Sequence, residues 1–453
     1  MNLTRRYKDA KKNKMFSGSY GIFPNSGRFN ATLFSKFSIM RIKSFSPLLL
    51  SAALTVGLML AAGAGQAVAG SADSVSRVLK LPKASLMVEE RGRPVISRRA
   101  DTAMVPASTM KILIALASIK RWGLDHRFHT DFYVGKDDWL WVKGYGDPYL
   151  VSEELDRIAK ALKKRGVRKV SGVGTDDSYF DPGVEISGRS SSNNPYDAPV
   201  TALAANFNTV NLVNKGGRVR SAEVQTPLTP LARQFGKGLG AGEHRVNLKR
   251  RDKAVRYFGE LLTAKLEAAG IGVGAAPRNG RVPSGAKKVY RHENSRDLRA
   301  VITPMLKYSN NFIANGLFLK LGDRGNGGPL SIAKAQRGVS RWVDKTFGWR
   351  NYRIEDGAGL SRSNRISARQ MLEAVNAFEP YMDLLPKQNA QVRAKTGTLR
   401  GVSCYAGFVK RGSRWEPFSL LINEPVPHNF RLQVANALAN APDLARLCPG
   451  GSC

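Results

Sequence analysis

The sequence contains few of the side chains that most often bind metals or form disulfides. Its 453 residues include only three cysteines and five histidines. Cys404 lies in an alternating apolar run, which predicts a buried thiol, whereas Cys448 and Cys453 enclose four residues and are close enough in sequence to be bridged in an oxidising compartment. His126 and His129 lie in a polar turn region without a third ligand nearby, so we expect no zinc site.

Long apolar runs are also scarce, and the most prominent one lies near the N-terminus. Residues 40–43 form a basic segment, residues 47–62 are almost uniformly apolar, and Ala67-Val68-Ala69 has the small-x-small pattern of a cleavage site. This order predicts a secretory signal peptide near residues 40–69. We therefore expect an exported protein, periplasmic or otherwise extracytoplasmic, whose mature chain begins near Gly70.

The N-terminal region also allows a second interpretation. The segment before Met40 is long for the basic part of a signal peptide, so we expect Met40 to be the true start of the protein and residues 1–39 to precede it. The apolar stretch approaches membrane-spanning length when its Ala and Gly residues are counted. An uncleaved anchor is therefore the alternative to cleavage.

Acidic residues are too few to balance the basic ones. The chain has 71 Lys and Arg against 35 Asp and Glu, and residues 1–69 account for about +9 of the net charge of +36. Such an excess favours nucleic acid, anionic lipid or an acidic wall polymer as a partner. An exported protein rarely meets nucleic acid, and no basic segment is interleaved with aromatic residues. We therefore expect an anionic cell-envelope surface and no nucleic acid, with general solubility as the simpler explanation.

The chain shows no internal repeat, and its length allows two or three domains. Strand and helix patterns at both ends enclose a stretch in which short β-runs are broken by Gly, Asn, Ser and Pro. The pattern predicts a multi-domain α/β protein with these parts: an N-terminal extension and signal peptide (1–69), a discontinuous α/β domain (70–140 and 270–447), an inserted β-rich module (141–269) and a C-terminal tail (448–453).

One segment has the pattern of a nucleophile beside its base. Pro106 leads a turn that brings Ser108 to the start of an apolar run, which predicts a helix that begins close to this serine. Residues three apart share a helix face, so the Lys111 amine is expected within hydrogen-bond distance of the Ser108 hydroxyl. Burial lowers the pKa of such a lysine, and a neutral amine can remove the serine's proton. The helix N-terminus favours the negative charge that follows.

The Ser-x-x-Lys pattern alone is a weak signal, because it occurs three times in the chain. Ser284 lies in a segment typical of a loop, and Ser331 has the position of an ordinary N-cap for a helix that runs to about residue 347. An N-cap is also the plainer interpretation of Ser108. Later parts of the chain have to distinguish the two.

Two later clusters supply further groups that acyl transfer requires. Ser309 and Asn311 place a hydroxyl and an amide at a predicted helix entry, and Ser-x-Asn alone is common in polar loops. The segment Lys395-Thr396-Gly397-Thr398 places a cation and two hydroxyls on a predicted strand edge, where the glycine removes a side chain at the point of substrate contact. Lys-Thr-Gly is expected in about 1 in 10 chains of this length. The three patterns in this order predict that Ser108 is catalytic.

These clusters resemble those of the penicillin-recognising serine acyltransferases. The narrower resemblance is to the class C low-molecular-mass penicillin-binding proteins, the D-alanyl-D-alanine carboxypeptidase/endopeptidase family. It covers about residues 80–440, including the wide gap between Lys111 and Ser309, which in that family holds inserted domains. The further stretches that carry it are 144–150, 176–180, 196–208 and 356–362.

The resemblance implies a role for each cluster. It makes Ser108 the acylated nucleophile and Lys111 its base. The hydroxyl of Ser309 and the amide of Asn311 relay protons and orient the donor amide. The backbone N–H groups of Ser108 and Thr398 form the implied oxyanion hole.

The resemblance also implies substrate contacts outside the acylation machinery. Lys395, Thr396 and Thr398 hold the terminal carboxylate. Asp176 matches an acid that the family places near the amine-bearing side chain of the substrate, although an aspartate in a β-turn is an equally good interpretation. Arg362 is a further candidate for substrate contact.

The implied catalytic domain is a penicillin-binding, serine β-lactamase-like transpeptidase domain, with an antiparallel sheet flanked by helices. Its implied activity is hydrolysis of D-Ala-D-Ala in peptidoglycan stem peptides, with β-lactam antibiotics as inhibitors and no metal or organic cofactor. The insertion is short for the family, so its nested third domain is in doubt, and the brief segment 385–395 implies an open cleft. A β-lactamase and a non-catalytic wall-binding protein are the alternatives.

Overall fold

The computed structural model describes residues 73–325 and 328–447. The predicted signal peptide near residues 40–69 and the predicted pairing of Cys448 with Cys453 lie outside the described residues. Among the residues it does describe, no helix is both long enough and apolar enough to cross a membrane.

The described chain contains fifteen strands and nine α-helices, besides short 3-10 turns and a helical segment at residues 73–80. The strands are β1 Ala84–Glu90, β2 Arg93–Arg98, β3 Arg127–Val134, β4 Trp139–Gly144, β5 Lys169–Val170, β6 Gly172–Asp176, β7 Thr209–Lys215, β8 Arg218–Ser221, β9 Gly242–Asn247, β10 Gly272–Val273, β11 Arg278–Asn279, β12 Lys287–Asp297, β13 Val392–Leu399, β14 Val402–Arg411 and β15 Arg414–Ile422. The helices are α1 Met110–Trp122, α2 Ser152–Lys164, α3 Pro230–Lys237, α4 Arg251–Ala268, α5 Leu298–Lys307, α6 Asn311–Lys320, α7 Ile332–Phe347, α8 Ala368–Phe378 and α9 Phe430–Asn440.

The first sheet joins the two ends of the described chain. Its strands lie in the order β13-β14-β15-β1-β2, and each neighbouring pair is antiparallel. Two residues, Arg91 and Gly92, connect β1 to β2, and both have positive φ, as a tight hairpin turn requires. Both sequence segments therefore contribute to a single sheet, as their strand patterns predict.

Helices cover both faces of this sheet. Side chains of a strand alternate between faces, so Met87 of β1 packs with Leu372 of α8 on one face. On the other face, its neighbour Leu86 packs with Val434 of α9. The predicted fold class, an α/β protein with an antiparallel sheet flanked by helices, is confirmed.

The helix α1 is buried on nearly all sides, which explains its continuous apolar sequence. Ten of its 13 residues are buried, and the polar residues Lys111 and Ser118 are among them. The helices α6 and α8 pack against it. This helix thereby carries a lysine into the interior, where the charged form of the amine loses its hydration.

A second five-stranded sheet lies within the insertion, in the order β11-β6-β4-β3-β12. Its strands β3 and β12 pair with each other, although both lie outside the predicted module at residues 141–269. Turn-rich composition indicates where the loops of the insertion lie, but it does not indicate which strands pair. The strands of this second sheet extend from Arg127 to Asp297, beyond the bounds predicted for the module. The division of the chain into domains itself stays a prediction.

The rest of the insertion is a mixture of helices and short strands. The helices α2 and α4 pack together over one core that includes Leu155, Leu261 and Val173. A small three-stranded sheet in the order β8-β7-β9 packs against α3. The insertion is therefore an α/β structure as much as a β-rich one.

The two other Ser-x-x-Lys patterns have the local structures predicted for them. Ser284 lies in a turn before β12. Ser331 is the N-cap of α7, and its hydroxyl oxygen accepts a hydrogen bond from the Lys334 N–H. Each of these serines thus has a structural explanation that involves no chemistry.

We expect the Ser331→Ala variant to lower the free energy of unfolding by about 1 kcal/mol, because the first turn of α7 loses its cap. The matched Ser284→Ala variant should change it by less than about 0.5 kcal/mol, because Ser284 lies in a turn on the surface. Urea denaturation of both variants and the parent protein tests this. An unchanged midpoint for Ser331→Ala would show that its hydroxyl is not a cap.

Candidate active site

Ser108 lies in a short 3-10 turn, Ala107–Thr109, immediately before α1. The N-cap of α1 is Thr109. The Ser108 hydroxyl instead lies 3.0 Å from Lys111 Nζ and donates to the Ala358 carbonyl at 3.3 Å. The N-cap interpretation of Ser108 is therefore wrong, and the hydroxyl is available to react.

Lys111 is fully buried, and three oxygen atoms surround its amine. Nζ lies 3.0 Å from Ser108 Oγ, 2.8 Å from Asn311 Oδ1 and 2.8 Å from the Ala358 carbonyl oxygen. Burial lowers the pKa of Lys111 to about 7, and the charge of Asp356 opposes the shift. Near neutral pH much of this amine is therefore uncharged.

An uncharged amine fits these three neighbours. It has two N–H donors, which the oxygens of Asn311 and Ala358 accept. Its lone pair is then directed to Ser108 Oγ, and the hydroxyl proton can turn to it from the Ala358 carbonyl, because a neutral amine accepts at the position where an ammonium would donate. This geometry would allow Lys111 to act as the base for Ser108, and that role stays a prediction.

The second cluster, Ser309 and Asn311, lies at the turn between α5 and α6. Asn311 is the first residue of α6, and its side-chain nitrogen donates to the Tyr196 carbonyl at 3.2 Å. Ser309 has φ +55°, a left-handed conformation that costs roughly 1–2 kcal/mol for a residue other than glycine. The partly buried Ser309 hydroxyl has no hydrogen-bond partner within the described chain. The turn thus directs Asn311 to Lys111 and leaves the Ser309 hydroxyl without a partner among the residues that the structure describes.

A loop after α7 completes the surroundings of Lys111. The buried Asp356 carboxylate accepts three backbone N–H groups of this loop. Asn315, one helical turn beyond Asn311, accepts the N–H groups of Gly357 and Ala358. Together they aim the Ala358 carbonyl at the Lys111 amine. Sequence reasoning missed this role, although an acid followed by closely spaced glycines is a signal for such a loop.

Two glycines allow backbone segments to meet at the serine turn. Gly359 has φ +77°, and a Cβ at this position would lie 1.8 Å from the Ala107 carbonyl oxygen. A Cβ on Gly397 would lie 2.8 Å from the Pro106 carbonyl oxygen and 3.1 Å from Ser108 N. Gly397 therefore makes room for the serine turn itself, which differs from the reason that we predicted for it.

β13 is an edge strand, and part of its outer edge is open beside the serine turn. Residues 386–388 bond to this edge at Val392 and Ala394. Backbone groups of a strand point to the same edge at every second residue, so those of Thr396 and Thr398 point outward as well. The Thr398 N–H is therefore directed to the edge where a substrate can lie, as an oxyanion hole requires.

The edge strand β13 carries a buried basic residue, Lys395. Lys395 is only 1% exposed, and Nζ donates to the Thr396 carbonyl at 2.7 Å. Burial, followed by the charges of Lys111 and Arg431, holds the pKa of Lys395 well below its usual value. In the described part of the chain, no carboxylate forms an ion pair with Lys395. Because the charged form of this lysine has no such partner, an anionic ligand beside it would stabilise that form and would itself bind favourably.

Asp176 has the contacts of a structural residue. It is buried at the end of β6, where its carboxylate accepts the N–H groups of Ser178 and Val282, each at 3.0 Å. Burial raises the pKa of Asp176, but these bonds and Lys143, 3.7 Å away, lower it overall. A bond to the N–H two residues on is that of an Asx turn, which favours the turn interpretation of Asp176.

The remaining predicted residues lie around the site. Arg362 is exposed, and its guanidinium donates to the carbonyl of Arg400, one residue beyond β13.

Cys404 is confirmed as a buried thiol, with burial raising its pKa to about 12. Within residues 73–325 and 328–447, no group of three or more His, Cys, Asp or Glu is arranged to hold a metal ion.

The fold, and a buried lysine amine 3.0 Å from a serine hydroxyl, match the predicted class of serine acyl-transfer enzymes. The family model described as D-Ala-D-Ala carboxypeptidase 3 (S13) matches residues 79–230 and 241–390. The chain belongs to this family.

Relatives and solved structures agree with this assignment. The D-alanyl-D-alanine carboxypeptidase of Actinomadura sp. (strain R39) is 25% identical, over 79% of this chain and 82% of its own. D-alanyl-D-alanine carboxypeptidase DacB of Haemophilus influenzae is 24% identical, over 68% of this chain and 78% of its own. The crystal structure of penicillin binding protein 4 (dacB) from Haemophilus influenzae has a TM-score of 0.67 and 21% identity, covering 82% of this chain and 98% of that one. This last comparison shows a shared fold.

We expect acylation by benzylpenicillin to depend on pH through Lys111. Because the pKa of Lys111 is about 7, protonation below pH 7 removes the lone pair, so the second-order rate should fall about tenfold per pH unit and level off above pH 8. Stopped-flow or gel-based measurement between pH 5 and 9 tests this. The Lys111→Arg variant, charged at every pH, should react slowly throughout. A flat profile for the parent protein would contradict the role of Lys111.

We expect the Gly359→Ala variant to slow acylation by about 100-fold, because its Cβ would displace the Ala107 carbonyl and shift Ser108 by a fraction of an ångström or more. Gly348→Ala is the matched control: Gly348 also has positive φ, +66°, but a Cβ there has no neighbour within 4 Å. That control should lose stability and keep its acylation rate. Equal acylation rates for the two variants would show that the contact with Ala107 is unimportant.

Proposed function

We propose that the protein hydrolyses the D-alanyl-D-alanine bond of peptidoglycan stem peptides through an ester on Ser108. One observation carries this proposal: a buried Lys111 amine, with its pKa near 7, lies 3.0 Å from the Ser108 hydroxyl. Family membership and two curated relatives named D-alanyl-D-alanine carboxypeptidase support the substrate class.

The acylation step follows from the neighbours of Ser108. Lys111 takes the hydroxyl proton as Ser108 Oγ forms a bond to the carbonyl carbon of the penultimate D-alanine. The carbonyl oxygen becomes an oxyanion, which the N–H groups of Ser108 and Thr398 stabilise. The C–N bond then breaks, and the leaving amine receives the proton from Lys111, directly or through the Ser309 hydroxyl. D-alanine departs with its carboxylate intact.

Substrate orientation depends on the open edge of β13. The stem peptide adds to this edge as an extended strand, through the backbone groups of Thr396 and Thr398. The terminal carboxylate accepts hydrogen bonds from Lys395 and the two threonine hydroxyls. Arg362 at the rim is a further contact of the bound peptide. Asp176 stays a weaker candidate, because structural bonds occupy its carboxylate.

Hydrolysis of the acyl-enzyme separates this function from that of a β-lactamase. After the amine leaves, Lys111 is neutral again and can remove a proton from water. Fast hydrolysis of a penicilloyl ester usually needs a carboxylate that activates water, and no carboxylate contacts Ser108 or Lys111 among the described residues. The nearest acid, Asp356, uses its oxygens to hold the loop. We therefore propose that penicillin acylates Ser108 and is released slowly.

The same mechanism extends to a crosslink between D-alanine and diaminopimelate, because the acyl half of the bond is identical. We propose this endopeptidase activity as a second reaction of Ser108. We also propose that the protein is exported by the signal peptide predicted near residues 40–69. Its positive charge then favours contact with an anionic envelope surface. A wall-binding protein without activity is disfavoured by the complete set of catalytic groups around Lys111.

We expect the Ser108→Ala variant to lose D-alanine release by about 10⁴-fold or more, because no other nucleophile replaces the hydroxyl. Purified sacculi are incubated with each protein, and the muropeptides are separated by chromatography. Pentapeptides converted to tetrapeptides indicate the carboxypeptidase, and crosslinked dimers converted to monomers indicate the endopeptidase.

The Ser331→Ala variant, which alters the third Ser-x-x-Lys pattern, is the matched control and should retain both activities. Mass spectrometry after benzylpenicillin treatment should find a stable adduct on Ser108. Rapid turnover of the antibiotic would indicate a β-lactamase, and absence of both adduct and turnover would indicate a binding protein.

A further inference from the structure

Arg431 contacts the edge strand β13 from the face of the first sheet opposite to α1. It lies in the first turn of α9 and is 8% exposed. Its Nη1 donates to Thr398 Oγ1 at 2.7 Å and to the Gly397 carbonyl at 3.2 Å. Both acceptors belong to the segment of β13 beside the serine turn.

The guanidinium of Arg431 is left with unused hydrogen-bonding capacity. An arginine has five N–H donors, and the two bonds described above use only the Nη1 group. In the described part of the chain, neither Nε nor Nη2 has a hydrogen-bond acceptor, and no carboxylate forms an ion pair with Arg431. Burial lowers the pKa of Arg431. A buried arginine normally has a carboxylate partner, so its absence here favours an anion supplied from outside.

The direction of the bond to Thr398 has a consequence for substrate binding. The Thr398 hydroxyl oxygen accepts from Arg431, so the hydroxyl's own proton is directed elsewhere. No acceptor for that proton is found among residues 73–325 and 328–447. Because Thr398 lies on the open edge of β13, the free proton is available to an acceptor bound there. An ionised carboxylate only accepts hydrogen bonds, so it is the matching group.

Arg431 also adds to the charge of Lys395. Burial has the largest effect on the pKa of Lys395, which it lowers, and the charges of Lys111 and then Arg431 lower it further. The two cations therefore lie close enough to repel each other without a counter-ion in the described chain. A bound carboxylate would relieve this repulsion, which makes the site selective for a ligand that ends in a negative charge.

We propose that Arg431 is a positioning and specificity residue for the terminal carboxylate of the substrate. It fixes the Thr398 hydroxyl as a donor and, with Lys395, supplies the second positive charge that a free C-terminus neutralises. This inference rests on the proposed function and adds a residue from outside the three sequence clusters. The role is one of orientation and selection, since Arg431 transfers no proton.

A merely structural role is the alternative, because Arg431 also ties β13 to α9. The two roles differ in the property that they predict. A structural tie affects every substrate equally, whereas a carboxylate-selecting residue affects only substrates that carry the charge. The test is therefore the ratio of kcat/KM for two peptides that differ only at the C-terminus: one ends in D-Ala-D-Ala with a free carboxylate, and the other ends in the corresponding amide.

The parent protein should prefer the carboxylate peptide. The Arg431→Gln variant should lose about 100-fold in kcat/KM for the carboxylate peptide, mostly through a higher KM, and less than about threefold for the amide. Arg431→Lys keeps the charge but not the paired donors, so it should show an intermediate ratio. If circular dichroism shows that the Arg431→Gln variant is unfolded, the Arg431→Lys variant is used for the test instead. An unchanged ratio in the folded variants would overturn the proposal.

Arg411 provides a matched control. It is a half-buried arginine that also contacts the end of α9, through the carbonyls of Leu438 and Ala441, but it is paired with Glu90. Arg411→Gln should lower stability and leave the ratio unchanged. The proposed function is tested separately, by benzylpenicillin acylation of the parent protein at Ser108. Suppose that the parent is acylated and hydrolyses peptide, and that the Arg431 variants keep the parent's ratio of kcat/KM for the two peptides. Then the role of Arg431 is contradicted and the proposed function is not.

Discussion

The active site depends on one amine that the fold keeps away from water. Lys111 enters the interior on α1, a helix buried on nearly all sides, and its Nζ meets oxygens from Ser108, Asn311 and Ala358. Burying a lysine is unfavourable unless it loses its charge or gains partners. Here it does both in part, since the surrounding oxygens satisfy a neutral amine and the pKa falls to about 7. The same desolvation that weakens the fold therefore yields the neutral amine that the proposed mechanism requires.

Strained backbone positions surround this amine and hold the reacting groups together. Ala107, directly before Ser108, and Ser309 adopt left-handed conformations, with φ +46° and +55°. Gly359 and Gly397 allow two distant segments to approach the serine turn more closely than a side chain would permit. Such strain persists only where the surrounding structure determines the conformation. In this protein α1, α6 and the edge of the first sheet provide that structure.

Local patterns in the sequence predict much of the fold and the chemical centre. The helix after Ser108 and the cap at Ser331 each follow from short-range rules, and the structure confirms them. The contributions of Asn315 and Arg431 were missed, because each acts on residues more than 30 positions away and neither lies in a periodic pattern. The pairing of β3 with β12 was missed for the same reason, because more than 150 residues of chain separate the two strands. The sequence singled out Gly397 for contact with substrate, whereas the space left by its missing side chain is occupied by the serine turn.

The central claim is that Lys111 is largely neutral at the pH where the enzyme works. The most direct test is nuclear magnetic resonance of protein labelled with ¹³C at the lysine ε-carbon, with Lys111 assigned by comparison with Lys111→Arg. The ε-carbon shift is followed from pH 5 to 11 in the absence of substrate. Because burial lowers the pKa of Lys111 to about 7, the signal assigned to Lys111 should titrate with a midpoint near 7. A Lys111 signal that titrates near 10, like a lysine in water, would contradict the account.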